Sequence, residues 1–231
     1  MTAADDSGSN PYAERVQRGL QGVRRRIVVA GGDPDRVVIV AVTKTFGADA
    51  VEGALACGLH DIGENYSAEL LEKAASMPAP GVRWHYLGRI QRRKVRDLAP
   101  VVTLWQGLSR SVEAEAIARH SPGAQVLVEV ETTGIAGRSG VPAQEVADLV
   151  ASASEAGVVV AGLMTIAPPS GADEALAAFR VVAGLADDLG LPVRSMGMTG
   201  DLEQAVMAGT TMVRVGEALF GPRPPRSHLA Q

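Results

Sequence analysis

Aromatic residues are scarce in this chain: two tryptophans, three tyrosines and three phenylalanines among 231 residues. An interior with so few large rings must be filled by aliphatic side chains, alanine and glycine, which suits many close helix–strand contacts. Cysteine is nearly absent. The single Cys57 excludes an intrachain disulfide and fits a reducing cytoplasm. Cys57 follows Ala54-Leu55-Ala56 and reads as a small, half-buried helix residue rather than a reactive thiol. No apolar run reaches the length of a membrane span. The polar, acidic start lacks the basic and apolar regions of a secretory signal. Both absences point to a cytoplasmic protein with no membrane partner. An excess of positive charge is also missing. The formal net charge is −4, so nothing calls for nucleic acid as a partner. Arginines cluster at Arg24-Arg25-Arg26 and between Arg89 and Arg96, and both clusters read as solvated helix faces. The histidines (His60, His85, His120 and His228) have no metal-ligand spacing, and no metal is expected. A Gly-x-Ser-x-Gly elbow and a Walker loop are both missing.

What is present is a core-forming composition, with 46% hydrophobic and 21% charged residues. Residues 1–10 and 222–231 read as flexible tails, and residues 11–221 as one domain without an internal linker. A first helix covers Tyr12 to Ala30 and ends at Gly31-Gly32, a C-cap signal. Val37 to Val42 is a continuous apolar run, the pattern of a strand covered on both faces. Similar short strands recur near His60–Ile62, Arg83–Tyr86, Val101–Leu104, Gln125–Val130, Val158–Leu163, Val193–Ser195 and Met212–Val215. Amphipathic helical patterns lie between them, such as Gln144–Ala156, Asp173–Leu189 and Leu202–Ala208. This alternation predicts an α/β fold, a single (β/α)8 TIM barrel with an extra N-terminal helix. The alternative is an open doubly wound sheet, whose Gly-x-Gly-x-x-Gly turn is missing after the first strand. A closed barrel has no sheet edge that demands a partner, so a monomer is expected, with a dimer left open.

In a parallel barrel the site gathers where the strands end. Lys44 follows the first apolar strand directly. Partial desolvation there would lower its pKa and free the amine to attack an aldehyde; the alternative is a lysine snorkelling from a strand end. Ser195, Gly197, Met198 and Thr199 follow the seventh strand, and Gly216 the eighth. Hydroxyls and glycine-bearing turns in those two loops suit an anion, a phosphate above all. Arg214 ends the last strand pointing into the mouth and needs an anion or an aromatic acceptor there; an internal salt bridge, to Glu64 for instance, is the alternative. Asn65 and His85 follow or end the second and third strands, and Met164 ends the sixth.

Read together, these segments resemble a known family. Ala-Val-Thr-Lys-Thr (41–45), Gly-Glu-Asn-Tyr (63–66), Trp-His-Tyr-Leu-Gly (84–88), Gly-Leu-Met-Thr-Ile (162–166), Ser-Met-Gly-Met-Thr (195–199) and Val-Arg-Val-Gly-Glu-Ala-Leu-Phe-Gly (213–221) occur in this order. They look like the YggS/PROSC-like pyridoxal phosphate homeostasis proteins, which are related to the barrel domain of alanine racemases. The resemblance implies pyridoxal 5′-phosphate (PLP) held covalently on Lys44 as a Schiff base. It places Ser195, Thr199 and the Gly216 backbone around the phosphate and Arg214 near the pyridine nitrogen, with Gly197 and Met198 also expected among the cofactor-binding residues. Asn65, His85 and Met164 would line the pocket. The implied role is storage or delivery of PLP, with PLP-dependent apoenzymes as partners, and balance of amino-acid pools. No catalytic residue is assigned. The alternative is a racemase-like PLP enzyme, which needs a second acid/base group from a partner subunit and a further β-domain for which the chain leaves no length. A phosphate-binding barrel without PLP is a third reading. The chain departs from the family pattern at Gly88-Arg89-Ile90-Gln91-Arg92-Arg93-Lys94, which adds positive charge at the mouth, and at Gly200-Asp201 after Thr199.

Overall fold

The computed structural model describes residues 10–77, 81–135 and 137–223. The tail readings for residues 1–9 and 224–231, with His228, lie outside the described residues. Asn10, assigned to the N-terminal tail, donates to the Asp49 carbonyl at 2.8 Å and accepts from the Tyr12 N–H.

Apolar runs become strands, and amphipathic runs wrap them. In chain order the strands are β1 (Val38–Val42), β2 (Asp61–Glu64), β3 (Arg83–Tyr86), β4 (Val102–Leu108), β5 (Gln125–Glu131), β6 (Val141–Pro142), β7 (Val159–Met164), β8 (Val193–Ser195) and β9 (Met212–Val215). The helices are α1 (Ala13–Val29), α2 (Ala48–Ala56), α3 (Ser67–Ser76), α4 (Arg92–Leu98), α5 (Ser111–His120), α6 (Val146–Glu155), α7 (Ala172–Asp188), α8 (Leu202–Met207) and α9 (Glu217–Phe220). All strand pairings are parallel. They run β4-β3-β2-β1-β9-β8-β7-β5, and a β4–β5 pairing closes the ring. The fold is therefore the (β/α)8 barrel, with α1 as the additional N-terminal helix. The two-residue β6 pairs only with the end of β5 and stands outside the ring.

Two apolar layers hold the barrel. The larger lies between strands and helices and includes Ile27, Ile62, Trp105, Phe179 and Phe220. The smaller fills the barrel interior with Val40, Leu104, Leu127, Met164 and Met212. Side chains alternate along a strand, so Val40 facing inward sets Lys44 inward two steps beyond Val42. Leu104 facing inward likewise sets Gln106 inward, and Met212 sets Arg214. The sequence reading ended the fourth strand at Leu104. It continues to Leu108 because Trp105 and Leu108 are buried against the helix layer.

Candidate functional site

The mouth of the barrel is built from the ends of β1, β2, β5, β7, β8 and β9. Lys44 emerges there from the buried Thr43, half-buried itself. Its amine makes no hydrogen bond or ion pair with a described residue. Burial pulls its pKa down, with the positive charges of Arg223 and Arg214 adding to the fall and Glu64 opposing it. A free, partly desolvated amine of this kind loses its proton more readily than an exposed lysine and is the better nucleophile for it.

The turn carrying Lys44 is strained. Thr45 has φ 71°, left-handed backbone that a β-branched residue seldom adopts. Its N–H donates to Glu69 Oε2 at 2.8 Å, while its Oγ1 is buried without a partner. Below the turn, Thr43 Oγ1 and Lys73 Nζ both donate to Glu64 Oε1 at 2.6 Å, and Lys73 also reaches the Thr43 carbonyl at 2.8 Å. Glu64 Oε1 is thus taken by Lys73 and Thr43 while Oε2 is buried without a hydrogen-bond partner, and the salt bridge weighed between Glu64 and Arg214 does not form.

Arg214 is buried and carries a second cluster. Its Nη1 donates to the Ser195 carbonyl at 2.6 Å and to Ser195 Oγ at 2.7 Å, and its Nη2 donates to the Thr165 carbonyl at 2.8 Å. Burial lowers its pKa to about 10, opposed by Asp201 and Glu129, so it stays charged at neutral pH. Glu129, inward on β5, is lifted by burial to about 7.

The turns after β8 and β9 leave no room for side chains. Gly197 has φ 95°, and a Cβ there would stand 2.5 Å from the Ala205 Cβ. A Cβ on Gly216 would lie 3.2 Å from the Val42 carbonyl oxygen, so the last loop approaches the end of β1 closely. Thr199 Oγ1 accepts from the Ala218 N–H at 3.3 Å, tying the two turns together. Met198 is exposed, and its N–H donates to Asp201 Oδ1 at 2.5 Å. Asp201, which follows the departure from the family pattern at Gly200, thereby stabilises the turn.

The residues singled out from sequence do not all meet. Lys44, Arg214, Gly197, Thr199 and Gly216 surround one mouth, and Met164 and Ser195 are neighbours across β7 and β8. The Asn65 side chain is half-buried with no hydrogen bond to a described residue. His85 and Ser195 sit deeper. Ser195 Oγ donates to Gln106 Oε1 at 2.7 Å, and the His85 ring lies between Gln106 Nε2 (2.7 Å) and Asp61 Oδ1 (3.0 Å). Gln106, Asp61, Thr165 and Glu129 were given no role from sequence. Alternation from Leu104 would have pointed Gln106 inward; the pairing of Asp61 with His85 had no local signal, because 24 residues separate them.

The donor set fits a phosphorylated aldehyde: a free amine, a charged guanidinium, a hydroxyl and glycine turns whose Cβ space is already closed. Comparison with known proteins gives the family. Residues 21–224 match the family described as alanine racemase, N-terminal domain. The chain is 36% identical over 219 residues to the pyridoxal phosphate homeostasis protein of Pseudomonas aeruginosa, covering 91% of this chain and 95% of that one. It is 36% identical over 205 residues to the protein of the same name from Deinococcus radiodurans, covering 87% and 97%. The solved structure of PipY from Synechococcus elongatus with PLP bound superposes with a TM-score of 0.74 at 28% identity, covering 86% of this chain and all of that one.

Proposed function

The chain belongs to the alanine racemase N-terminal domain family, among its pyridoxal phosphate homeostasis proteins, and from that premise we propose that it binds PLP as a Schiff base on Lys44 and stores or delivers it without turnover. The observation that carries the reading is the Lys44 amine, half-buried, unpaired and lowered in pKa at a mouth that Arg214 also enters. PLP supplies an aldehyde carbon for an amine and a phosphate for a ring of donors. Lys44 holds the aldehyde end, and the strained Thr45 turn aims its amine. The Thr199 hydroxyl and the backbone of Gly197 and Gly216 receive the phosphate, in a turn that Met198 shapes through its N–H bond to Asp201. Arg214 faces the pyridine nitrogen and keeps it unprotonated, which makes the ring a weak electron sink. Asn65 and Met164 border the ring; Ser195 and His85 act from beneath, through Gln106. Partners are PLP and PLP-dependent apoenzymes, in the cytoplasm, with the chain as a monomer.

The test is an absorbance spectrum of the purified protein with added PLP, before and after borohydride, followed by intact mass and peptide mapping. An imine band that borohydride removes, leaving a phosphopyridoxyl group on Lys44, is the expected result, and Lys44→Ala abolishes both. No adduct on the wild type overturns the reading. Sustained conversion of L-alanine to D-alanine would replace storage by racemisation.

A further inference from the structure

A polar chain crosses the barrel interior from the mouth to the opposite rim. Arg214 Nη1 meets Ser195 Oγ at 2.7 Å, Ser195 Oγ meets Gln106 Oε1 at 2.7 Å, Gln106 Nε2 meets His85 Nδ1 at 2.7 Å, and His85 Nε2 meets Asp61 Oδ1 at 3.0 Å. Asp61 opens β2, so it lies at the strands' N-terminal end, far from Lys44 in the barrel. Arg83 holds it there with two bonds, Nε to Oδ1 at 2.8 Å and Nη2 to Oδ2 at 2.5 Å.

Only one arrangement of hydrogens satisfies every link. A guanidinium only donates, so Ser195 Oγ accepts from Arg214 and must donate onward. The Ser195 hydroxyl therefore needs the oxygen of the Gln106 amide, which turns its nitrogen to His85. Met212 Sδ, 3.3 Å from the same nitrogen, also requires an N–H there. His85 must then offer a lone pair on Nδ1 and carry its proton on Nε2, and the Asp61 carboxylate accepts that proton's hydrogen bond. Although burial pushes Asp61 upward, the bonds from Arg83 and His85 outweigh it and hold the carboxyl well below the usual range. All donors point from Arg214 toward Asp61.

We infer that Asp61, His85 and Gln106 are positioning residues for Arg214: the Asp61 carboxylate sets the His85 tautomer, the tautomer sets the Gln106 amide, and the amide keeps the Ser195 lone pair on the guanidinium at the mouth. The inference deepens the proposed function and rests on it where it concerns how Arg214 meets PLP. A single proton on His85 Nδ1 would oppose two donors and undo the order of every link above it.

The test has one arm without cofactor and one with it. In the apo wild type, nitrogen-15 shifts of the histidine rings should show His85 as the neutral Nε2–H tautomer. In Gln106→Glu a carboxylate oxygen replaces the donor opposite His85 Nδ1, and a proton should appear on that nitrogen. A protonated Nδ1 in the wild type, or an unchanged His85 signal in Gln106→Glu, overturns the chain. In the second arm PLP is titrated into wild type and Gln106→Leu. The expected result is an imine band shifted in wavelength and affinity weakened about tenfold, with the Lys44 adduct retained. An unshifted band at wild-type affinity overturns the positioning role while leaving the cofactor reading intact. If the wild type forms no adduct, the cofactor reading fails, and the apo shifts still decide the chain. If Gln106→Leu does not fold, the wild-type and Gln106→Glu shifts decide it.

Discussion

Glu129 shows how burial can dominate the behaviour of one residue. On the inner face of β5 its carboxyl is lifted from 4.5 to about 7, burial outweighing the pull of Arg214, with Glu113 adding to the rise. A carboxyl raised on folding keeps its proton where the unfolded chain has already lost it. The unfolded state then binds fewer protons, and stability falls as pH rises between those two values. The fall is on the order of 3 kcal/mol. Denaturant midpoints of the apo protein should therefore drop more between about pH 5 and about pH 7.5 for wild type than for Glu129→Gln, which has no titrating group there. Parallel profiles would show that Glu129 titrates as an ordinary carboxyl. Thr45 illustrates the opposite case: a left-handed β-branched residue with a buried, unpaired hydroxyl next to Lys44 is strained backbone at the mouth of the barrel.

Helix α1 packs on α9, the last helical turn among the described residues, and two glycines on α1 should respond to alanine with opposite signs. Glycine to alanine in a helix interior ordinarily stabilises by about 0.5–1 kcal/mol. Gly22 has open space where a Cβ would stand, so Gly22→Ala should gain about that much. At Gly19 the new Cβ would lie 2.2 Å from the Ala218 carbonyl oxygen, backbone that cannot move aside cheaply. Gly19→Ala should lose about 1–3 kcal/mol in the same denaturation experiment. A gain at both positions would mean that α1 does not seat on α9 this closely. The stake extends to the site, because Gly216 immediately precedes α9 and Thr199 accepts from Ala218.

Closure of the barrel makes the mouth a property of the whole molecule, since distant strands each lend it one or two groups. Among the described residues no helix is long and apolar enough to cross a membrane. Ligand bound only by the closed barrel stabilises it by linkage, about 2.7 kcal/mol at a hundredfold excess over Kd. For a chain of this size that corresponds to a rise in Tm of about 5–10 °C. PLP should produce such a rise in the wild type and little of it in Lys44→Ala. An equal rise in both would place the binding energy away from Lys44.

Much of this was legible in the amino-acid order. Continuous apolar runs such as Val37 to Val42 specify strands buried on both faces, and their alternation with amphipathic stretches specifies a parallel barrel, because period and burial are local properties. The positions of Lys44, Arg214, Gly197 and Gly216 at strand ends followed from the same pattern. What the sequence left open was depth and partnership. His85 and Ser195 read as mouth residues, yet their polar atoms turn to Gln106 in the interior, and Gln106 lay beyond the strand end drawn at Leu104. Glu64 appeared available to Arg214 but is held by Lys73, nine residues away on α3. Asp61 meets His85, and Ser195 meets Gln106 across 89 residues. Such pairings depend on which strands become neighbours and how far each projects along the barrel axis, and only ring closure decides that.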